Sequence, residues 1–185
     1  VKNKDNDDPI TDQLWIFIEG SLKNNFILTA NSNSAKNNSG RNSKYTEHGI
    51  AYGHAYAILG TSEVTLPNKK TVKLIKMRNP WGFDNWKGDW SNESPLLTSE
   101  IKEQLGYSPD DVGTFWISID DFNKNFSWVS RCQIHDDFGF EFARFDKGLN
   151  QRYFVTKLAL EEDTYIYISA EQKFENHYIK KYPEY

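Results

Sequence analysis

Of the 185 residues, one is cysteine, one is methionine and six are proline. A lone thiol, Cys132, excludes an internal disulfide framework and any all-cysteine metal site, and it fits a reducing, intracellular setting. No apolar run approaches the roughly 20 residues that would span a bilayer, and no charged-then-apolar leader opens the chain. Basic charge is not in excess either: 22 Lys and Arg stand against 26 Asp and Glu, for a net charge of -4. That balance supplies no electrostatic reason to expect nucleic acid or an anionic membrane. What the chain has is aromatic mass. Twelve Phe, ten Tyr and six Trp make up 15% of it, more than a disordered segment carries, so it folds around an aromatic core.

Residues 1–9 are polar and read as a frayed start. Leu14, Phe17, Ile18 and Leu22 recur at helical spacing, predicting a helix over 11–25 with Thr11 or Asp12 as N-cap. A strand is expected over 26–29. From Asn31 to Ser43, nine of 13 residues are Asn or Ser, which compete for backbone hydrogen bonds and bury little, so a mobile loop is expected there. Ala51 to Leu59 and Thr71 to Met77 read as an antiparallel hairpin closed by Pro67-Asn68-Lys69-Lys70. Thr98 or Ser99 should cap a short helix ended by Gly106. Phe115 to Ile119 and Val129 to Ile134 read as strands flanking a helix over 120–126. Beyond Asp137 three strand-like runs without a helix suggest a second, all-β domain, cut short. The chain is expected to be a piece of a longer one, in two parts: 1–136, of mixed α+β class, and 137–185.

Four histidines offer the usual proton shuttle near neutral pH. His48, His135 and His177 lie in polar stretches and read as solvated. His54 differs, because Gly53 and Ala55 leave its ring approachable at the mouth of a strand. Antiparallel pairing brings the first residue of one strand near the last of its partner. His54 and Asn79 are centred on the proposed turn, between Leu66 and Pro67, so they should meet at one end of the hairpin. A bulge at Gly60 could correct or spoil that register. An Asn amide oxygen can accept the imidazole Nδ1–H and aim Nε2 at a nucleophile, as the orienting third of a Cys-His-Asn site. Trp81 could roof that bond. Read blandly, Asn79-Pro80 makes only a turn.

Gly53-His54-Ala55-Tyr56-Ala57-Ile58, Lys73 to Gly82 with its Asn79-Pro80-Trp81-Gly82, Trp86 to Ser91, Gly113 to Ser118 and Asp121-Phe122 follow one another in an order and spacing that resemble the calpain family of cysteine proteases. The likeness spans about residues 10–135. It implies the second subdomain of a papain-like protease, a twisted antiparallel sheet with few helices, followed by the start of a β-sandwich over 137–185. It also implies a calcium-dependent, cytoplasmic (intracellular) endopeptidase acting on protein substrates. His54 is then the general base, Asn79 its orienting partner and Trp81 its shield, with Gly53 beside the cleft. The family's nucleophilic Cys belongs to an upstream half, so this fragment alone should be inactive. Cys132 lacks the helix-opening context of a reactive thiol and reads as structural. The alternative is a catalytically inactive calpain-like module used for protein–protein interaction. A Trp-rich carbohydrate-binding domain would instead expose Trp81, Trp86 and Trp90.

By the same resemblance, calcium would be held at Asn85, Asn92, Val112 and Thr114. None of these is acidic, whereas calcium favours several carboxylates among six to eight oxygens. Asp84, Asp89, Asp110 and Asp111 are displaced from the matching positions, so no metal ligand is assigned. The Asn/Ser loop of 31–43 would border the cleft and gate access to it.

Overall fold

The computed structural model describes residues 9–35, 44–83 and 86–135, together with 139, 157, 159 and 165–168. The chain divides into two compact units, Val1–Phe138 and Gly139–Tyr185. Every named element belongs to the first unit. The β-sandwich expected over 137–185, His177 and residues 36–43 of the polar loop fall outside the described residues or outside any named element.

Pro9–Lys23 forms helix α1, Ile27–Ser32 strand β1, Ala55–Thr65 β2 and Thr71–Arg78 β3. Ser99–Gln104 follows as α2, Thr114–Ser118 as β4, Ile119–Asn125 as α3 and Phe126–Cys132 as β5. The five strands make one antiparallel sheet in the order β4-β3-β2-β1-β5. This α+β arrangement, with few helices, is compatible with a papain-like protease subdomain.

Two apolar clusters build the core. One gathers Trp15 and Ile18 of α1, Leu28, Tyr56, Ile58, Ile75, Met77 and Phe115 from the sheet, and Phe122 of α3. The other holds Val64, Leu74 and Trp116 together with Trp90, Leu97 and Leu105 from the connection between β3 and β4. Because both clusters draw on β4, all five of its residues are buried. Trp86 and Trp90 lie inside these clusters, which removes two of the three exposed indoles that a sugar-binding face would need.

Several local expectations are corrected. Helix α1 begins at Pro9, ahead of the expected Thr11 cap, because proline's fixed φ and missing N–H suit a first helical turn. Trp15 joins the expected Ile18 in its core face, while Phe17 stays nearer the surface beneath the Arg131 guanidinium, 4.9 Å from the ring centre. Strand β1 continues through Asn31 and Ser32, which the composition placed in a loop. Its burial alternates, and Leu28, Ala30 and Ser32 all face inward. Cys132 is exposed rather than packed: it sits on the edge strand β5 opposite the half-exposed Ile27. His135 is half-buried and meets Phe26 edge to face at 5.4 Å. His48 is exposed, with its ring edge toward Trp86 at 5.9 Å.

Other local signals hold. Thr98 caps α2, its hydroxyl accepting the N–H of Ile101, and the helix stops before Gly106. The turn after β2 places Lys69 at φ 66°, closed by the Lys69 N–H to the Leu66 carbonyl and the Lys70 N–H to Asn68 Oδ1.

Candidate active site

The register of β2 against β3 decides which side chains share a face. From Thr65↔Thr71 to Gly60↔Lys76 the pairing is regular; it then shifts so that Ile58 faces Met77 and Ala57 faces Arg78. One extra residue, Leu59, is taken up as a bulge. Side chains alternate along a strand, so this extra residue exchanges the two faces of β2 from there on. Before the bulge Val64 faces the second cluster; after it, Ile58 and Tyr56 face the first, beside Ile75 and Met77. His54 continues the inward row of Ile58 and Tyr56, and Asn79 continues that of Ile75 and Met77. Without the bulge Asn79 would lie across from Ala57, on the opposite face from His54.

At that end of the hairpin, His54 Nε2 lies 3.0 Å from Asn79 Oδ1. Asn79 is 2% exposed. Its Oδ1 also accepts the backbone N–H of Trp81 at 3.1 Å, which identifies that atom as the amide oxygen. An oxygen that only accepts requires Nε2 to carry the hydrogen, leaving Nδ1 as the basic nitrogen of the neutral ring. This reverses the expected tautomer: Nε2, not Nδ1, faces Asn79. The indole of Trp81 stacks on the imidazole at 3.9 Å between centres and 24° between planes. Tyr56 approaches the opposite neighbourhood edge-on at 4.9 Å. Histidine, asparagine and tryptophan thus form one group. Gly53, φ +57°, serves a backbone need: a Cβ there would meet nothing within 4 Å, but its conformation is one that side-chain-bearing residues rarely adopt.

Three supports escaped the sequence reading. The buried Ser32 hydroxyl accepts the His54 N–H at 2.9 Å and donates to the Ala51 carbonyl at 2.6 Å. Tyr56 Oη accepts the Ala51 N–H at 2.9 Å, fixing the segment that leads to His54. Gly113 accepts the Asn79 N–H through its carbonyl at 2.9 Å. An added Cβ on Gly113 would come within 3.0 Å of Asn79 O, Gly82 C and Phe83 N. The inward alternation of β1 and β2 was the available signal for Ser32 and Tyr56. Gly113 was visible only as part of a motif.

The calpain family is generally calcium-regulated, so the four matching positions were tested against that ion. Asn92 turns its Nδ2 toward the Thr114 carbonyl at 3.1 Å, and Thr114 Oγ1 donates to the Asp111 carbonyl at 2.7 Å. Val112 is a 60% exposed hydrocarbon. The Asp111 carboxylate is held by Lys76 Nζ at 2.6 Å. Asp84 and Asn85 lie outside the described residues. Among the described residues, no group of three or more His, Cys, Asp or Glu converges on a metal position. Among the described positions of this set, an amide, a hydroxyl and a methyl group bring no carboxylate, which calcium favours among its ligands.

The family described as "Calpain family cysteine protease" matches residues 2–133. Calpain-9 of Rattus norvegicus is 30% identical over 129 residues, covering 68% of this chain and 18% of that protein. Calpain-12 of Homo sapiens is 40% identical over 92 residues, 48% of this chain and 12% of the relative. For calpain-B of Drosophila melanogaster the figures are 37% over 99 residues, 50% and 11%. The chain therefore spans less than a fifth of the length of these relatives. Matched over most of its length, it belongs to the calpain family of cysteine proteases.

Proposed function

We propose that this chain is the histidine- and asparagine-bearing half of a cysteine endopeptidase, with the nucleophilic thiol supplied by an upstream half of the same protein. One observation carries the reading: Asn79 Oδ1 accepts from both His54 Nε2–H and the Trp81 N–H, which leaves Nδ1 of His54 as the base. In this mechanism Nδ1 removes the proton from the upstream thiol, and the thiolate attacks a peptide carbonyl. The imidazolium then protonates the leaving amine as the carbon–nitrogen bond breaks, giving a thioester. Water, deprotonated by the same nitrogen, releases the acid and regenerates the thiol. Asn79 holds the ring plane through both half-reactions, and the stacked Trp81 limits water's access to the bond between them.

Protein substrates and an intracellular setting are part of the proposal, the latter resting on the single cysteine. The fragment alone is expected to be inactive. The further division at about residue 136, with a β-sandwich beginning beyond it, is proposed on the family resemblance. No helix among the described residues is long and apolar enough to cross a membrane.

The test is hydrolysis of a fluorogenic peptide by the complete protein. His54→Ala should abolish turnover, and Asn79→Ala should lower kcat by about 10²-fold or more, the scale of a misdirected acid–base group. Turnover that survives His54→Ala would defeat the reading. A complete protein that binds polypeptides and cleaves none would favour the inactive interaction module.

A further inference from the structure

The carbonyl that seats the Asn79 N–H belongs to Gly113, and the segment just before Gly113 has little apolar hold of its own: Pro109, Asp110 and Val112 are exposed. An ion pair fastens it instead. Lys76 Nζ, on β3, donates to the Asp111 carboxylate at 2.6 Å. Asp111 passes the attachment on through its backbone, because its carbonyl accepts Thr114 Oγ1 at 2.7 Å and the Thr114 N–H at 3.1 Å. Gly113 lies inside that turn, and its carbonyl takes the Asn79 N–H at 2.9 Å. The path therefore leaves β3 at Lys76 and rejoins the chain three residues later, at Asn79. Side chains alternate along a strand, so Lys76 stands on the face opposite the Asn79 amide. Its cross-strand partner there is Trp116 of β4, a member of the second cluster.

We infer that Lys76 and Asp111 are positioning residues for the orienting amide: their ion pair holds the 111–114 turn where the Gly113 carbonyl keeps Asn79 in contact with His54. The inference rests on the protease reading above. The two side chains are 21% and 39% exposed, and so partly solvated a pair adds little to global stability. Its effect is local and geometric. Misplacing an acid–base group by about 1 Å can cost about 10²-fold in rate, so a weak fastening suffices to matter where it sets the place of Asn79. Lys73, on the same strand, offers an internal comparison. Its Nζ meets Asp12 of α1 at 2.8 Å, with the side chains 31% and 49% exposed. That pair ties β3 to a helix rather than to the 111–114 turn, so the two lysines separate a positioning role from a general electrostatic one.

The experiment measures peptide hydrolysis by the complete protease. Lys76→Met keeps most of the stem and removes the charge; kcat should fall about tenfold while KM stays within about twofold of wild type. Lys76→Arg should restore most of kcat, since a guanidinium also donates to a carboxylate. Asp111→Asn, at a half-exposed loop position, should match Lys76→Met. The double variant should be no slower than either single one, because all three lose the same interaction. Lys73→Met should keep the wild-type kcat. Wild-type kcat in Lys76→Met or Asp111→Asn, a change confined to KM, a loss that Lys76→Arg fails to restore, losses that multiply in the double variant, or an equal loss in Lys73→Met would each overturn the inference. The protease reading would stand in all of these cases. A wild type that cuts no polypeptide would overturn both.

Discussion

The hydroxyl of Ser32, on β1, accepts the backbone N–H of His54 while donating to the carbonyl of Ala51, and the Ser32 N–H donates to the His54 carbonyl at 2.9 Å. One buried side chain thus joins β1, which lies between β2 and β5 in the sheet, to the residue that carries the imidazole. Ser32→Ala would leave a buried N–H and a buried carbonyl short of a partner, at a cost of about 1–3 kcal/mol. Urea denaturation should register that loss. In the complete protease, kcat should fall more than KM rises, because it is the imidazole that Ser32 holds in place. Unchanged kcat would show that the Ser32 bonds are not needed to place His54.

The meeting of His54 and Asn79 was legible only in outline: the pairing centres on Asn68, which leaves His54 three residues farther out than Asn79, and the bulge at Leu59 takes up part of that difference. Caps and turns were legible for a local reason: Thr98, Gly106 and Asn68 act on backbone groups within a few positions. Three features were not. Ser32 looked like loop because composition speaks for a whole segment, whereas burial in β1 alternates residue by residue. Cys132 looked packed because an apolar strand does not announce that it lies at the sheet edge. Which imidazole nitrogen faces Asn79 depends on ring rotation, and no spacing encodes that. A gating role for the polar loop and the calcium positions were read only by analogy with the family.

Leu59 gives the bulge a direct test. Removing it would join Ile58 to Gly60, so that the pairs Gly60↔Lys76 and Ile58↔Met77 become consecutive in one regular ladder. Tyr56 and Ile58 would keep their inward face, and His54 would stay on the side of Asn79. Deletion should therefore leave peptide cleavage by the complete protease largely intact. Replacement by Ala keeps the extra residue and, because Leu59 is half exposed, should cost little stability in urea. A deletion that abolished cleavage while Leu59→Ala kept it would show that the bulge does more than take up one residue.

Lys76 and Asp111 bear on calcium. Their ion pair, at 2.6 Å and only partly exposed, occupies the Asp111 carboxylate. Asn92 donates to the Thr114 carbonyl and Thr114 Oγ1 to the Asp111 carbonyl, so protein donors already take up these oxygens. Titrating this half with calcium in a calorimeter should reveal no site tighter than about millimolar. A micromolar isotherm abolished by Asn92→Ala would contradict the assignment.

Gly113 makes the sharpest prediction, because conformation and space act together there. Its φ of +77° disfavours any residue with a Cβ, by about 1–2 kcal/mol. The same Cβ would press at 3.0 Å on three backbone atoms of the 79–83 turn, which cannot rotate away as a side chain could. Gly113→Ala should therefore push Asn79 outward, lengthen its contact with His54 and displace the adjoining rings of Trp81 and Phe83 in one movement. In the complete protease, kcat should drop by tenfold or more, about the effect of a misplaced acid–base group, with a modest fall in thermal stability. Gly106→Ala shares the positive φ, +57°, but has open space at its Cβ and stands at the end of α2. It should lose similar stability and retain turnover. Equal turnover in the two variants would mean that the contact of Gly113 with the Asn79 turn has no part in holding the imidazole's partner.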